Sequence, residues 1–152
     1  MKNGYIYDFA KIKLLITEEN GNITNIICRN FDSVTYENKE TPAIKQAKQE
    51  LDEYFAGNLK EFTMPLDLKG TDFQKKVWNA LINVPYGETR TYKQLAEMVD
   101  SPKGFRAVGS ANNRNPVMIV VPCHRIIGTD GKLVGYAGGL NVKEYLLEVE
   151  KS

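Results

Sequence analysis

The sequence predicts an α+β protein: a small N-terminal α/β domain with antiparallel hairpin strands, then a mostly helical C-terminal domain containing a helix-turn-helix. Two patterns and the glycine between them carry that expectation. Short apolar segments flank an Asn-Gly pair within the first forty residues, the signature of a hairpin. From Thr71 onward, apolar residues recur at helical spacing behind repeated caps. Gly70 sits where one pattern gives way to the other, which sets domains at 1–69 and 70–152. The first domain is short for an independent core and is expected to pack on the second.

Taken in order, Tyr5-Ile6-Tyr7-Asp8-Phe9 alternates as a strand, and Ile12–Thr17 and Ile23–Cys28 form a hairpin around Glu19-Asn20-Gly21-Asn22. Thr41-Pro42 opens a helix with a cap and a proline at its first position. Ile44, Ala47, Leu51, Tyr54 and Phe55 form its apolar face, and Gly57 ends it. Phe62–Leu68 reads as extended. Thr71-Asp72-Phe73-Gln74 is a capping box for a helix with Phe73, Val77, Trp78, Leu81 and Ile82 at helical spacing. After a turn at Pro85-Tyr86-Gly87, Thr91-Tyr92-Lys93-Gln94 caps a second helix. Ser101-Pro102-Lys103-Gly104 separates it from Phe105–Asn112, whose apolar stripe is Phe105, Val108 and Ala111. Two short helices on a tight turn resemble a helix-turn-helix. Val117–Val121 is an apolar run that reads as a buried strand closed by Pro122. Asn141-Val142-Lys143-Glu144 caps a last helix with Val142, Tyr145, Leu146 and Val149 inward.

Composition narrows the chemistry. Of 152 residues, 42% are hydrophobic, enough for a packed core. No apolar run reaches membrane-spanning length and no signal-peptide pattern comes after Met1, so a cytoplasmic protein with reduced cysteines is expected. Two cysteines exclude a disulfide scaffold, and a single histidine argues against a structural zinc site. Net charge is +1, yet residues 101–125 hold Lys103, Arg106, Arg114 and Arg125 and no acidic residue. Such a stripe suits either a polyanion contact or an ordinary solvated face.

Cys123, His124 and Arg125 are consecutive, and His124 is the chain's one histidine. A cysteine beside a cation and an imidazole is a candidate nucleophile, because both neighbours favour the thiolate. Adjacent side chains on a strand point oppositely, so unless the backbone turns at Pro122, His124 would reach the thiol through a water rather than directly. The alternative is an inert buried cysteine beside a satisfied histidine. In Phe105–Asn112, Gly109 and the small residues Ala107, Ser110 and Ala111 permit close backbone approach. The partner is another helix of the chain or a nucleic-acid groove reached by Arg106. The loop at Gly135-Tyr136-Ala137-Gly138-Gly139 lacks a phosphate-loop lysine, leaving a turn pair or a pocket wall. Asn115-Pro116 suits a turn whose amide bridges neighbouring segments.

Together these residues closely resemble the O6-alkylguanine-DNA alkyltransferases, the methylated-DNA–protein-cysteine methyltransferases. The likeness runs from Gly70 to Glu150 through Gly70-Thr71-Asp72-Phe73-Gln74, Val77-Trp78, Pro85-Tyr86-Gly87-Glu88-Thr89, Thr91-Tyr92, Arg106-Ala107-Val108-Gly109, Asn115-Pro116, Pro122-Cys123-His124-Arg125 and Gly135-Tyr136-Ala137-Gly138-Gly139. The resemblance implies single-turnover repair of O6-alkylguanine in double-stranded DNA, with O4-alkylthymine as a further candidate substrate. Cys123 would accept the alkyl group from a flipped base, and His124 would act through a water with Glu150 orienting it. Tyr92 would protonate the departing guanine and Asn115 would tie the recognition helix to the active-site strand. Arg106 would fill the vacated stack, with Tyr92, Ala107, Gly109, Ser110, Arg114 and Arg125 at the DNA. Tyr136, Ala137, Gly138 and Ile126 would line the base pocket. No cofactor, metal or membrane is implied, and a monomer is expected. Some relatives carry serine where this chain has Ala137, which removes a hydrogen bond to the base. An alkylated-DNA sensor or regulator on the same fold is the competing reading, opposed by the presence of Cys123. A cysteine hydrolase is disfavoured by the adjacency of Cys123 and His124.

Overall fold

The structure is a computed structural model that describes residues 1–101, 103–131, 136 and 139–151. It divides into two compact units, Met1–Lys69 and Gly70–Ser152.

The first unit is built on a four-stranded sheet. Strands β1 (Asn3–Asp8), β2 (Lys13–Glu19), β3 (Asn22–Ile27) and β4 (Glu37–Asn38) lie in the order β3-β2-β1-β4. β1–β2 and β2–β3 pair antiparallel, and β4 joins the edge of β1 in parallel. Asn20 and Gly21 both have positive φ, 56° and 84°, as a primed two-residue hairpin turn requires. Glu18, buried at that hairpin, accepts from Gly21 N at 2.9 Å and Asn3 Nδ2 at 3.0 Å. Burial pushes its carboxyl up, but these donors outweigh burial and hold it below the usual range. Leu14, Leu15 and Ile16 in the central strand are all buried, so β2 reads as a continuous apolar run rather than an alternation. Helix α1 (Pro42–Phe55) packs on the strands through Ile44, Ala47, Leu51 and Tyr54, with the Thr41 hydroxyl capping Ile44 N. The extended segment after it touches the sheet through a bridge between Leu66 and Ile23.

In the second unit, α2 (Asp72–Ile82) and α3 (Tyr92–Met98) both begin in reciprocal capping boxes, Thr71 with Gln74 and Thr91 with Gln94. Helix α4 (Phe105–Asn113) packs on both. Trp78 is its main anchor: the ring is buried and Nε1 donates to Ala111 O at 2.8 Å. A two-residue parallel pairing joins β5 (Arg90–Thr91) to β6 (Ile126–Ile127). It seats the first turn of α3 beside the segment that ends at Arg125. Helix α5 (Leu140–Val149) completes the unit. Among the described residues no helix is long and apolar enough to cross a membrane.

Four sequence expectations need correction. Residues 117–121, all buried but the half-buried Val120, form a tight turn instead of a strand, and 123–125 is a 3-10 turn. An apolar run reports burial; it does not report backbone direction. Phe105 does not belong to the apolar stripe of α4. It is 47% exposed, and Val108, Ala111 and Asn112 face inward. Helix α5 starts at Leu140 behind Gly139, whose φ of 98° provides the entry, and not at an Asn141 cap. Its buried residues are Lys143 and Leu146, with Glu150 buried just past its end. The inward face is therefore rotated from the expected Val142, Tyr145 and Val149.

Candidate functional site

Asn115 organises the turn that presents Cys123. Its Oδ1 accepts from Val117 N at 2.9 Å, and its Nδ2 donates to Val121 O at 2.6 Å and to Cys123 Sγ at 3.1 Å. One amide thus clamps both ends of the turn and the sulfur. Ile119 within it has φ of 74°, a left-handed conformation that a β-branched residue adopts only under constraint, at a cost of order 1–3 kcal/mol. The clamp and the burial of Val117, Ile119 and Val121 supply that constraint. Asn115 therefore ties the end of α4 to a turn, not to the strand expected from the sequence.

Cys123 opens the 3-10 turn and is 5% exposed. His124 comes next, wholly buried, with Nε2 2.5 Å from Glu150 Oε2. Among the described residues His124 Nδ1 has no hydrogen-bond partner. With Nε2 committed to the carboxylate, Nδ1 is the nitrogen left to accept a proton. Burial pushes the imidazole below its ordinary value, Glu150 opposes that, and the positive charges of Arg125 and Lys143 reinforce it.

Arg125 is the clearest departure from expectation. It is buried, donates from Nε to Glu150 Oε1 at 2.8 Å and from Nη2 to Oε2 at 3.1 Å, and reaches Val84 O from Nη1 at 2.7 Å. It is not a DNA-facing residue: a buried guanidinium in a paired fork is a structural clamp. Gly87 N donates to Glu150 Oε1 at 3.3 Å as well. The C-terminal carboxylate of α5 thereby gathers the 3-10 turn and the loop before β5.

The cation that acts on the sulfur is Lys143, which the sequence reading placed in a cap. Its side chain is buried and Nζ donates to Ile126 O. The ammonium lies 5.9 Å from the ring centroids of both Tyr92 and Tyr136. Burial lowers its pKa to about 8, with Cys123 pulling the other way. Burial raises the Cys123 thiol above its ordinary value, while the side chains of Asn115 and Tyr136 and the charge of Lys143 draw it down without cancelling the rise. Burial also raises the Tyr92 phenol, with Cys123 adding to the rise and Asn112 opposing it. The signal that could have found Lys143 was its i+3 and i+7 spacing to Leu146 and Glu150. Cys123, His124, Glu150, Asn115, Tyr92, Tyr136 and Lys143 thus form one cluster. Ile126 lends it a carbonyl and has a buried side chain. Ala137 and Gly138 lie outside the described residues.

On the outer side of α4, Arg106, Ala107 and Ser110 are exposed and Gly109 is half-buried; Lys103 and Arg114 flank them, also exposed. An ideal Cβ on Gly109 would come within 4.0 Å of the Tyr92 ring. The helix surface and the cysteine cluster are therefore adjacent through Tyr92. Among the described residues no group of three or more His, Cys, Asp or Glu could hold a metal ion.

Comparisons with known proteins agree on a lineage. The profile of the 6-O-methylguanine DNA methyltransferase DNA binding domain matches residues 72–152, and that of the same enzymes' ribonuclease-like domain matches residues 6–68. The chain belongs to the 6-O-methylguanine DNA methyltransferase family. It is 49% identical over 147 residues to the constitutive methylated-DNA–protein-cysteine methyltransferase of Bacillus subtilis, covering 91% of this chain and 89% of the relative. It is 56% identical over 108 residues to the enzyme of that name from Methanosarcina barkeri, covering 71% and 68%. The crystal structure of Mycobacterium tuberculosis OGT in complex with DNA superposes with a TM-score of 0.92 at 45% identity, over 98% of this chain and 92% of that one.

Proposed function

We propose that the protein repairs double-stranded DNA by moving the alkyl group of O6-alkylguanine irreversibly onto Cys123. The observation that carries this reading is the Cys123 sulfur held by Asn115 beside a buried His124–Glu150 pair and a buried ammonium, in a chain of this family. The alkylated oxygen of a paired guanine lies inside the duplex, so the nucleotide must be extruded into the pocket. Arg106, exposed on the first turn of α4, fills the space left in the stack. Ala107, Gly109 and Ser110 let the helix backbone approach the minor groove closely. Lys103 and Arg114 contribute phosphate contacts that carry no sequence information.

In the transfer step, the Cys123 thiol proton passes through a water to His124 Nδ1. Lys143 and Asn115 stabilise the resulting thiolate. The sulfur attacks the alkyl carbon; the S–C bond forms as the C–O6 bond breaks, and the electron pair stays on the guanine. Tyr92 supplies the proton that neutralises the departing base. A soft sulfur nucleophile displacing an aryl-like oxygen needs no metal or organic cofactor. The thioether product has no leaving path, so each molecule acts once. One copy holds the whole cluster, consistent with a monomer, and we place its action in the cytoplasm.

Intact-protein mass spectrometry after incubation with O6-methylguanine duplex tests the reading. One methyl mass on the peptide containing Cys123, saturating at one equivalent, is expected; an unchanged mass for folded, reduced protein would refute transfer and leave a damage sensor. Arg106→Ala is expected to slow reaction with the duplex far more than with a free O6-alkylguanine base, and equal losses on both would remove its intercalating role.

A further inference from the structure

We propose that Phe105 is a second wedge at the DNA surface, an aromatic side chain that stacks on the base pair flanking the extruded nucleotide while Arg106 occupies the vacated position. The inference rests on the DNA-repair reading above. Phe105 is the first residue of α4 and is 47% exposed, whereas Val108, Ala111 and Asn112 carry the helix's inward packing. Among the described residues no aromatic ring stacks on it. The exposed part of the phenyl ring is apolar surface that stacking on a partner would remove from water.

Charge and position choose that partner. Lys103 and Arg106 are exposed beside Phe105 in sequence, Arg114 is exposed at the far end of the helix, and residues 101–125 contain no acidic side chain. Such a setting suits a polyanion and disfavours the mixed-charge rim of a protein partner. Phe105 and Gly109 are four residues apart and so share one row of the helix. That row passes Tyr92, since an ideal Cβ on Gly109 would sit 4.0 Å from the Tyr92 ring, and Tyr92 belongs to the Cys123 cluster. Phe105 therefore stands about 6 Å up the helix from the mouth of the site, within about two base steps of 3.4 Å. A flanking base pair lies at that range. Insertion of an apolar wedge at a base step is a general device of minor-groove binders. Arg106 and Phe105 then divide the work: the guanidinium contributes charge and a planar face, the phenyl ring a face without charge.

That division gives a test independent of alkyl transfer. Binding of a fluorescein-labelled duplex with one O6-methylguanine is measured by anisotropy across a salt series, in a Cys123→Ser background that halts the reaction. Phe105→Ala is expected to weaken binding about five-fold or more at every salt concentration, the range for loss of one base–aromatic stack. The slope of log affinity against log salt stays unchanged, Phe105→Trp restores affinity, and the melting temperature stays level because the ring is exposed. Arg106→Ala, in contrast, lowers the slope by about 0.9. Phe105→Ala binding as tightly as its parent would overturn the inference, as would a loss that Phe105→Trp fails to recover. Absence of methyl transfer to wild-type Cys123 would instead overturn the repair reading, so the two failures are separable.

Discussion

Lys103, Arg106 and Arg114 on one side, and Arg125 and Lys143 on the other, are cations of one small unit with opposite fates. The first three stand in solvent around α4; the other two are buried, one in a fork with Glu150 and the other against Ile126 O beside Cys123. The difference teaches how the same charge does two jobs. In water a cation is screened over about 8–10 Å and serves to attract a polyanion without committing to a geometry. Inside the protein the charge has lost its hydration, so it persists only where partners fix it, and there it shapes protonation at neighbouring groups.

The comparison breaks most visibly at Glu150. Glu150→Ala leaves Arg125 buried without its carboxylate, and such losses cost on the order of 3–5 kcal/mol. Denaturant unfolding should show that loss together with loss of transfer, whereas Arg114→Ala should stay within about 0.5 kcal/mol of the parent. A Glu150→Ala protein as stable as its parent would mean the buried fork organises nothing. Next in size is Lys143→Met, expected to slow transfer about ten-fold at neutral pH, one pKa unit of lost thiolate stabilisation. The deficit should narrow as pH rises, because alkali then makes the thiolate unaided and Lys143 itself discharges near pH 8. Single-turnover rates from pH 6 to 10 read this out, and a deficit constant with pH would assign Lys143 to packing alone.

A smaller effect comes from acid. Burial keeps the folded-state value of His124 below the ordinary 6.5. The unfolded chain therefore binds a proton first as pH falls, and the His124 contribution to stability, complete above pH 6.5, declines progressively below it. Melting temperatures from pH 7.5 to 5 should fall more steeply for wild type than for His124→Gln. The smallest effects belong to the outer set: Lys103→Ala and Arg114→Ala each should weaken duplex binding a few-fold and lower the salt slope by about 0.9 with no change in melting. An unchanged slope would show that these charges do not meet phosphate.

The same divide between local and distant partners separates the legible parts of the chain from the hidden ones. Local signals were legible: Asn20-Gly21, the paired Thr…Gln boxes and Thr41-Pro42 act through neighbours within four residues, so sequence alone discloses them. Cys123 and His124 were legible as residue types, and the resemblance drew Glu150, Tyr92 and Asn115 to them. The backbone that carries them was not. Val117–Val121 is as apolar as a strand, and only the Asn115 clamp with its left-handed Ile119 makes it a turn. Arg125 looked like a surface cation because its carboxylate partner lies 25 residues away. Lys143 was concealed by its own chemistry, since a lysine on an inward helix face contradicts hydropathy until the sulfur it serves is in view.

Cys123 is sheltered, and that shelter decides how long the protein keeps. Only 5% of the residue meets solvent, and burial raises the thiol above its ordinary value, against the thiolate. Small electrophiles and oxidants react with exposed thiolates, so they find little here. On the proposed reading, in which the sulfur is used once, an open thiolate would be lost to stray alkylating agents in solution before it met a lesion. Under that proposal the buried turn serves as a shelf-life device: it makes dormancy the default and reserves reactivity for a base delivered to the sulfur.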